Sequence, residues 1–269
     1  MKFLKRRQAG VLQGGEFGFS MVSSMEERTF FPPLITPHRL REREDAFAAA
    51  CVGAGEAGAG SLYYVGRFEL IEFAIVLEPQ EPLRLARKII FAGMNALADA
   101  LAALSPPEKM IHFDYPGVLF FDGALIGGAR LAWPEGANEE EPPDWLVFGA
   151  MVRAGGIRDL GEGLGPEITS LDDEGFEAWH PSEFSASFAR HFLVEVDSWN
   201  ENGFKGIGPR YLSRLNKSEG EGRRGIDTNG DLLVHPEADA SDANAKRSSF
   251  LRTLKAAAWY DPLLNEPKS

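Results

Sequence analysis

A single cysteine, Cys51, cannot close an internal disulfide or supply a thiolate metal cluster, so nothing in the chain calls for an oxidising compartment. The cytoplasm is the expected location. Histidine is nearly as scarce: the five are scattered, and no two stand three or four apart as helix-borne zinc ligands would. Basic residues are outnumbered, 28 Lys and Arg against 40 Asp and Glu. The resulting net charge of −12 argues against nucleic acid as the main partner, because phosphate neutralisation needs clustered cations. The one concentrated basic stretch, Lys2 to Arg7, runs into Gly-, Gln- and Glu-rich sequence rather than an apolar segment, so no signal peptide is read. A run of eighteen apolar residues is also missing, and no membrane span is expected.

What is there suits a globular fold. Hydrophobic residues make up 44% of the 269, enough for one main core with a small satellite, since single cores stop growing at roughly 250 residues. Residues 1–30 are polar and Gly-interrupted and are expected to form a flexible tail. The main domain is expected over 31–216, a charged, Gly-rich linker over 217–224, and a small C-terminal domain over 225–269.

Within that frame, Leu40 to Cys51 reads as an Ala-rich helix broken by Gly53, Gly55, Gly58 and Gly60. Ser61 to Gly66 and Phe68 to Leu77 read as strands. Glu81-Pro82 opens the clearest helix, with Leu83, Ala86, Ile90, Met94, Leu97 and Leu101 at helical spacing. Strands are predicted at Met110 to Asp114, Val118 to Phe121 and Ala124 to Trp133, the last two joined at Asp122-Gly123. A further strand, Trp145 to Arg153, follows the acidic loop Glu139 to Pro143, a loop expected to be solvated surface. Phe184, Phe188, Phe192, Val196 and Trp199 mark one face of a helix, and Ile207, Tyr211 and Leu215 a second. A hairpin around Asn229-Gly230 and a short helix from Phe250 to Ala258 complete the chain. Strands placed between a few long helices indicate α+β with a mixed, mainly antiparallel sheet, plus a small C-terminal β-hairpin unit.

Several motifs invite chemistry that their context does not support. Gly53-Ala54-Gly55-Glu56-Ala57-Gly58 spells the dinucleotide fingerprint, but a helix precedes it and a strand follows, the reverse of what a pyrophosphate site needs. Asp227, Asn229 and Asp231 alternate like calcium ligands, yet Leu232 and Ala238 stand where that loop needs glycine and a bidentate Glu. A hairpin turn is the simpler reading. His112 and Asp114, two apart on a strand, share a face and could orient a proton carrier, or merely face water.

The segment Phe113-Asp114-Tyr115-Pro116-Gly117-Val118-Leu119-Phe120-Phe121-Asp122-Gly123-Ala124-Leu125-Ile126-Gly127-Gly128-Ala129 resembles, without gaps, the central motif of biotin protein ligases. There it reads Lys-Trp-Pro-Asn-Asp, two apolar strand residues, a turn, then Lys-x-Ala-Gly-Ile. Trp145 to Met151 looks like that family's next strand, and Trp199 to Leu212 like its closing helix pair. Gly225 to Val234 is similar to its small C-terminal domain. The chain thus resembles a divergent branch, the biotin/lipoate A/B protein ligase-like proteins, over residues from about 32 to 240.

The resemblance implies a class II synthetase-like catalytic domain that joins a carboxylic acid, biotin, lipoate or a related acyl group, to a carrier-domain lysine through an acyl-adenylate. It also implies ATP as cofactor, Mg2+ with it, and a biotinyl or lipoyl carrier domain as partner. The ligand-binding positions carried over are Gly66, Arg67, Asp114, Tyr115, Leu125, Gly127, Gly128 and Gly149. Yet the two family lysines fall on Asp114 and Leu125, and the Arg/Gly-rich loop is reduced to Gly66-Arg67. Arg67 and Arg130 are the remaining candidates for catalytic cations. Arg130 points away from position 125 on a regular strand and could replace that lysine only across a bulge at Gly127-Gly128. The ATP-independent acyl-transfer branch would need a cysteine nucleophile, and Cys51 is expected far from the motif. An enzyme and a silent homologue that binds a small acid or a carrier domain are both open at this point, and a cation beside Gly127, whether Arg67, Arg130 or Lys109, would favour the enzyme.

Overall fold

The structure, a computed structural model, describes residues 30–155, 167–176, 179–217, 222–235 and 244–268. The expected tail lies outside the described residues save for Phe30, as do residues 218–221 of the expected linker.

A seven-stranded mixed sheet forms the middle layer. Its strands are β1 (Thr36–Leu40), β2 (Ser61–Val65), β3 (Leu70–Leu77), β4 (Ile111–Asp114), β5 (Val118–Phe121), β6 (Ala124–Ala132) and β7 (Leu146–Arg153). Their order in space is β1-β2-β3-β7-β6-β5-β4, with β1 parallel to β2 and every other neighbour antiparallel. The two long central strands, β3 and β7, are apolar almost throughout because both of their faces are covered. At the turn between β5 and β6, Asp122 and Gly123 have φ of 49° and 90°. Such left-handed pairs match the twist of a two-residue hairpin.

Helix α1 (Ala46–Ala57) covers the face of β2, β3 and β7 that the two large helices leave open. Its start is set by Asp45, whose carboxylate accepts the Ala48 amide at 2.8 Å. Of the four glycines expected to break the helix, Gly53 and Gly55 lie inside it, while Gly58, with φ of 75°, ends it and Gly60 follows. Gly53 is needed there because a side chain would strike the Tyr63 hydroxyl of β2, so the helix sits closer to the sheet than a larger residue permits. The dinucleotide-like run is therefore the second half of a packed helix.

On the other face lie α2 (Leu83–Ala86), α3 (Ile89–Ala102), α4 (Pro181–Asn202) and α5 (Gly208–Arg214). One continuous helix was expected from Leu83; instead it breaks at Arg87-Lys88. The acidic loop explains the first piece: the Leu83 and Arg84 amides donate to the carbonyls of Glu141 and Glu139, while Arg87 and Arg84 pair with Glu139 and Glu140. That loop caps a helix rather than being solvated surface alone. Helix α4 buries the Phe184-Phe188-Phe192-Val196-Trp199 stripe, and Phe148 of β7 stacks on Phe188 at 5.5 Å and Phe192 at 6.0 Å. Helix α3 reaches the same ring because Gly93 has no side chain to meet it.

The C-terminal residues divide between the two faces. Strands β8 (Arg223–Ile226), β9 (Leu232–His235) and β10 (Lys246–Ser248) form a small antiparallel sheet, followed by α6 (Phe250–Lys255). Leu232, Val234 and Phe250 enter the main core, with the Phe250 ring 5.5 Å from Phe91. The Asp227 carboxylate accepts the amides of Asn229 and Asp231 and pairs with Arg247, which makes the calcium-like sequence a braced turn. From Ala257 onward the chain lies on the other side of the sheet, where Trp259 packs against Leu70 and Met151. It ends in a two-residue pairing of β11 (Tyr260–Asp261) with β12 (Glu266–Pro267).

Replacing Phe148 by Ala should remove the ring on which both large helices converge. Unfolding in denaturant is expected to show a loss of about 3–5 kcal/mol.

Candidate functional site

The geometry of the site starts from an irregularity in β6. Phe120 pairs with Leu125 but Leu119 pairs with Gly127, which leaves Ile126 without a partner in β5. This is the β-bulge that the sequence reading treated as possible but not expected. Ile126 joins the core on the helix side, while Leu125 joins Leu70, Met151 and Trp259 on the opposite side. Beyond the bulge Gly128 faces Trp259, and Arg130 faces Phe47 and Tyr260. Leu125, Gly128 and Arg130 therefore share one face.

Arg130 is held flat between two rings, its guanidinium carbon 4.4 Å from the Phe47 centroid and 4.3 Å from that of Tyr260. Asp45 is its ion-pair partner at 3.7 Å, and its buried Nη2 has no hydrogen-bond partner. Arg67, on the loop joining β2 to β3, donates to Glu72 at 3.0 Å, and its Nε is likewise buried without a partner. Arg153, at the end of β7, donates through Nη2 to the carbonyls of Pro267 and Lys268 at 2.9 and 3.2 Å, and its Nε is unpartnered. Lys109 is elsewhere: it pairs with Asp122 and Glu174 near the β5–β6 turn.

Glu72 is the group that sequence reasoning missed. Its carboxylate accepts the Ala46 amide at 2.8 Å and the Arg67 guanidinium, and only 1% of it is exposed. Burial pushes its pKa up to about 7, against the opposing pull of the Ala46 amide, Arg67 and Arg130. The signal was a lone acid in the otherwise apolar run Leu70 to Leu77. Cys51 was expected far from the motif, but it stands on α1 close enough to Arg130 and Asp45 to feel both charges. Burial nevertheless pushes its thiol up to about 11, which keeps it a protonated, poor nucleophile at neutral pH.

The glycines expected to leave room for a ligand meet parts of the protein. A side chain at Gly127 would collide with the Met151 carbonyl of β7, so that glycine serves strand approach. Gly149 lies under Phe47. Gly128 lies under the indole of Trp259, which would stand 2.5 Å from a Cβ there. Gly66 faces the Arg39 side chain. Tyr115 sends its hydroxyl to the Gly230 carbonyl at 2.5 Å and sets its ring near Phe91, so its polar tip is spent on the C-terminal turn. Asp114 and Leu125, by contrast, line one open groove of about 730 Å³ together with Val118, Phe120, Trp259 and Lys268. Trp259, Tyr260 and Arg153 carried no pattern in the sequence that assigned them to this face.

The described residues hold no group of three or more potential metal ligands and no helix long and apolar enough to cross a membrane.

Three comparisons bear on this geometry. The family model for the biotin/lipoate A/B protein ligase family matches residues 31–213. Among solved structures, a biotin protein ligase-like protein of unknown function from Silicibacter sp. TM1040 is similar at 28% identity and a TM-score of 0.69, over 83% of this chain and 97% of that one. The biotin protein ligase of Aquifex aeolicus shares the fold at 15% identity and a TM-score of 0.60, over 79% of this chain and 94% of its own. The same Aquifex protein, solved in complex with biotin and ATP, matches at 16% identity and a TM-score of 0.57, over 79% and 95% of the two chains. A search of the curated proteins found no match.

Glu72 predicts a pH signature. An acid whose pKa is about 7 in the folded chain and near 4.5 unfolded binds more protons when folded, so its contribution is complete below pH 4.5 and is lost as pH rises through 7. In urea titrations between pH 4.5 and 8, Glu72→Gln should flatten the decline in stability relative to the parent chain, by on the order of 2–3 kcal/mol across the range.

Proposed function

We propose, for a chain that belongs to the biotin/lipoate A/B protein ligase family, that the face between α1 and the C-terminal segment binds a small carboxylic acid without converting it to an acyl-adenylate. The observation that carries this reading is the charge balance of that face. A nucleoside triphosphate would bring several negative charges to a groove whose charged lining is Asp114, Glu167 and Lys268, with Asp114 and Leu125 where the resemblance puts the family lysines. Arg67, the remnant of the Arg/Gly-rich loop, is already matched by Glu72. Loss of a single preorganised charge costs roughly 10²–10³ in rate, and two such positions are altered here. Arg130, the cation whose place on this face would favour an enzyme, is paired with Asp45 and covered by Phe47 and Tyr260. Lys268 in the groove is offset by Asp114 and Glu167, so the residues present do not fit ATP.

A carboxylate asks for less. A charge-assisted hydrogen bond to a guanidinium suffices to hold it, and Arg130 and Arg153 each keep one buried nitrogen with no hydrogen-bond partner. Phe47 of α1 packs against the Arg130 guanidinium from the helix side, so part of that side chain's freedom is already lost before a ligand binds. The adjoining groove, which neither arginine lines, offers apolar surface from Val118, Phe120 and Leu125 for a ring or an alkyl chain. Biotin is the acid found with the Aquifex protein; biotin, lipoate and octanoate are the natural probes for this chain.

ATP–pyrophosphate exchange measured separately with each of the three acids should stay at the level without acid. Titration calorimetry should detect binding of at least one, weakened about tenfold or more in Arg130→Ala. Acid-dependent exchange with any of them would replace this reading with that of an active ligase.

A further inference from the structure

We infer that the C-terminal segment, Ala257 to Lys268, is an internal pseudo-ligand that occupies the acid-binding face and must be displaced by the external acid. This rests on the acid-binding reading above and specifies how that site is controlled and what shape of ligand it takes.

Three contacts match the parts of such a ligand. Trp259, 2% exposed, lays an apolar slab on the bare backbone at Gly128 and packs with Leu70, Met151, Leu125 and Val118. Two carbonyl oxygens, those of Pro267 and Lys268, accept from Nη2 of Arg153, neutral acceptors where a carboxylate would bring a charged one. Tyr260 closes over Arg130 and completes the sandwich that α1 begins with Phe47. The segment thus presents an apolar body and a pair of acceptor oxygens to one face of the sheet.

The fit is incomplete in a way that favours exchange. Arg67, Arg130 and Arg153 each retain a buried nitrogen without a hydrogen-bond partner while the segment is docked. Unpaired buried donors are costly, and neutral carbonyls satisfy a guanidinium less well than a carboxylate does. The segment is also lightly held by its own structure. Its hairpin pairs only two residues on each side, and its tip leaves Leu263 92% and Leu264 64% exposed. Of the twelve residues 257–268 only Trp259 and Pro267 are buried, and an element with so few buried anchors belongs to the part of a protein that opens at low cost. The corresponding ligand is a monocarboxylic acid with an apolar ring or chain of about the bulk of an indole side chain, which replaces Trp259 over Gly128.

The test uses the full chain. Trp259→Ala with Tyr260→Ala should tighten binding of biotin, lipoate or octanoate at least tenfold by calorimetry, since the competitor loses both rings. Independently of whether that variant folds, hydrogen exchange of the parent protein should become faster at 257–268 when acid is added. Unchanged affinity in the folded variant, or slower exchange of the segment on adding acid, would overturn the pseudo-ligand and leave the acid site standing. No binding of any acid by either protein would overturn the acid site, and the pseudo-ligand with it.

Discussion

The bulge at Ile126 is the constraint on which the candidate site depends. A regular β6 would put Leu125 and Arg130 on opposite faces of the sheet, one of them inside the core among phenylalanines. One unpaired residue reverses the alternation, so that Ile126 fills the core while Leu125, Gly128 and Arg130 all face α1 and the C-terminal segment. The glycines around it make this arrangement possible, since at Gly127 the neighbouring strand leaves no room for a side chain. A backbone irregularity in a single strand thus decides whether a cation is available to a ligand at all.

The two faces of the sheet carry separate tasks. On one, Phe73, Phe148, Phe188 and Phe192 lock the helices to the strands, and the Glu195-Arg210-Asp99-Arg214 cluster ties α4, α5 and α3 together. On the other, polar groups are buried in pairs: Glu72 with Arg67, and Asp45 with Arg130. Because stability comes mainly from apolar burial on the first face, charges on the second can change with limited effect on the fold. That division suits a scaffold shared at 15% identity with a biotin protein ligase.

Cation placement joins the functional reading to the tail. Arg130 and Arg153 are both on the site face, yet each is engaged by the C-terminal segment, one through the Tyr260 ring and one through two carbonyls. The small sheet β8–β10 and α6, anchored by Phe250 in the core, fix where that segment begins. Its length from Ala257 then allows it to run along β7 and β6, so the same chain that braces the helix face supplies the cover on the opposite one.

The periodicity of the sequence determined the sheet and the helices, because alternation of two and recurrence near 3.6 report directly which side of each element is buried. Phe184 to Trp199 on α4 and the Asp122-Gly123 hairpin were legible in this way. Where local composition competed with packing the reading failed: glycine-rich residues 53–57 stay helical because β2 demands a close approach, and residues 36–40 form a strand by pairing with β2. Only the tertiary structure decided that Glu72 meets Arg67, that Arg130 meets Asp45 and Tyr260, and that Arg153 meets the carbonyls of Pro267 and Lys268. The physical reason is that neither the bulge nor the docking leaves a periodic trace: the bulge is a one-residue slip between neighbouring strands, and the docking brings Trp259 and Tyr260 to Gly128 and Arg130 across about 130 residues of chain.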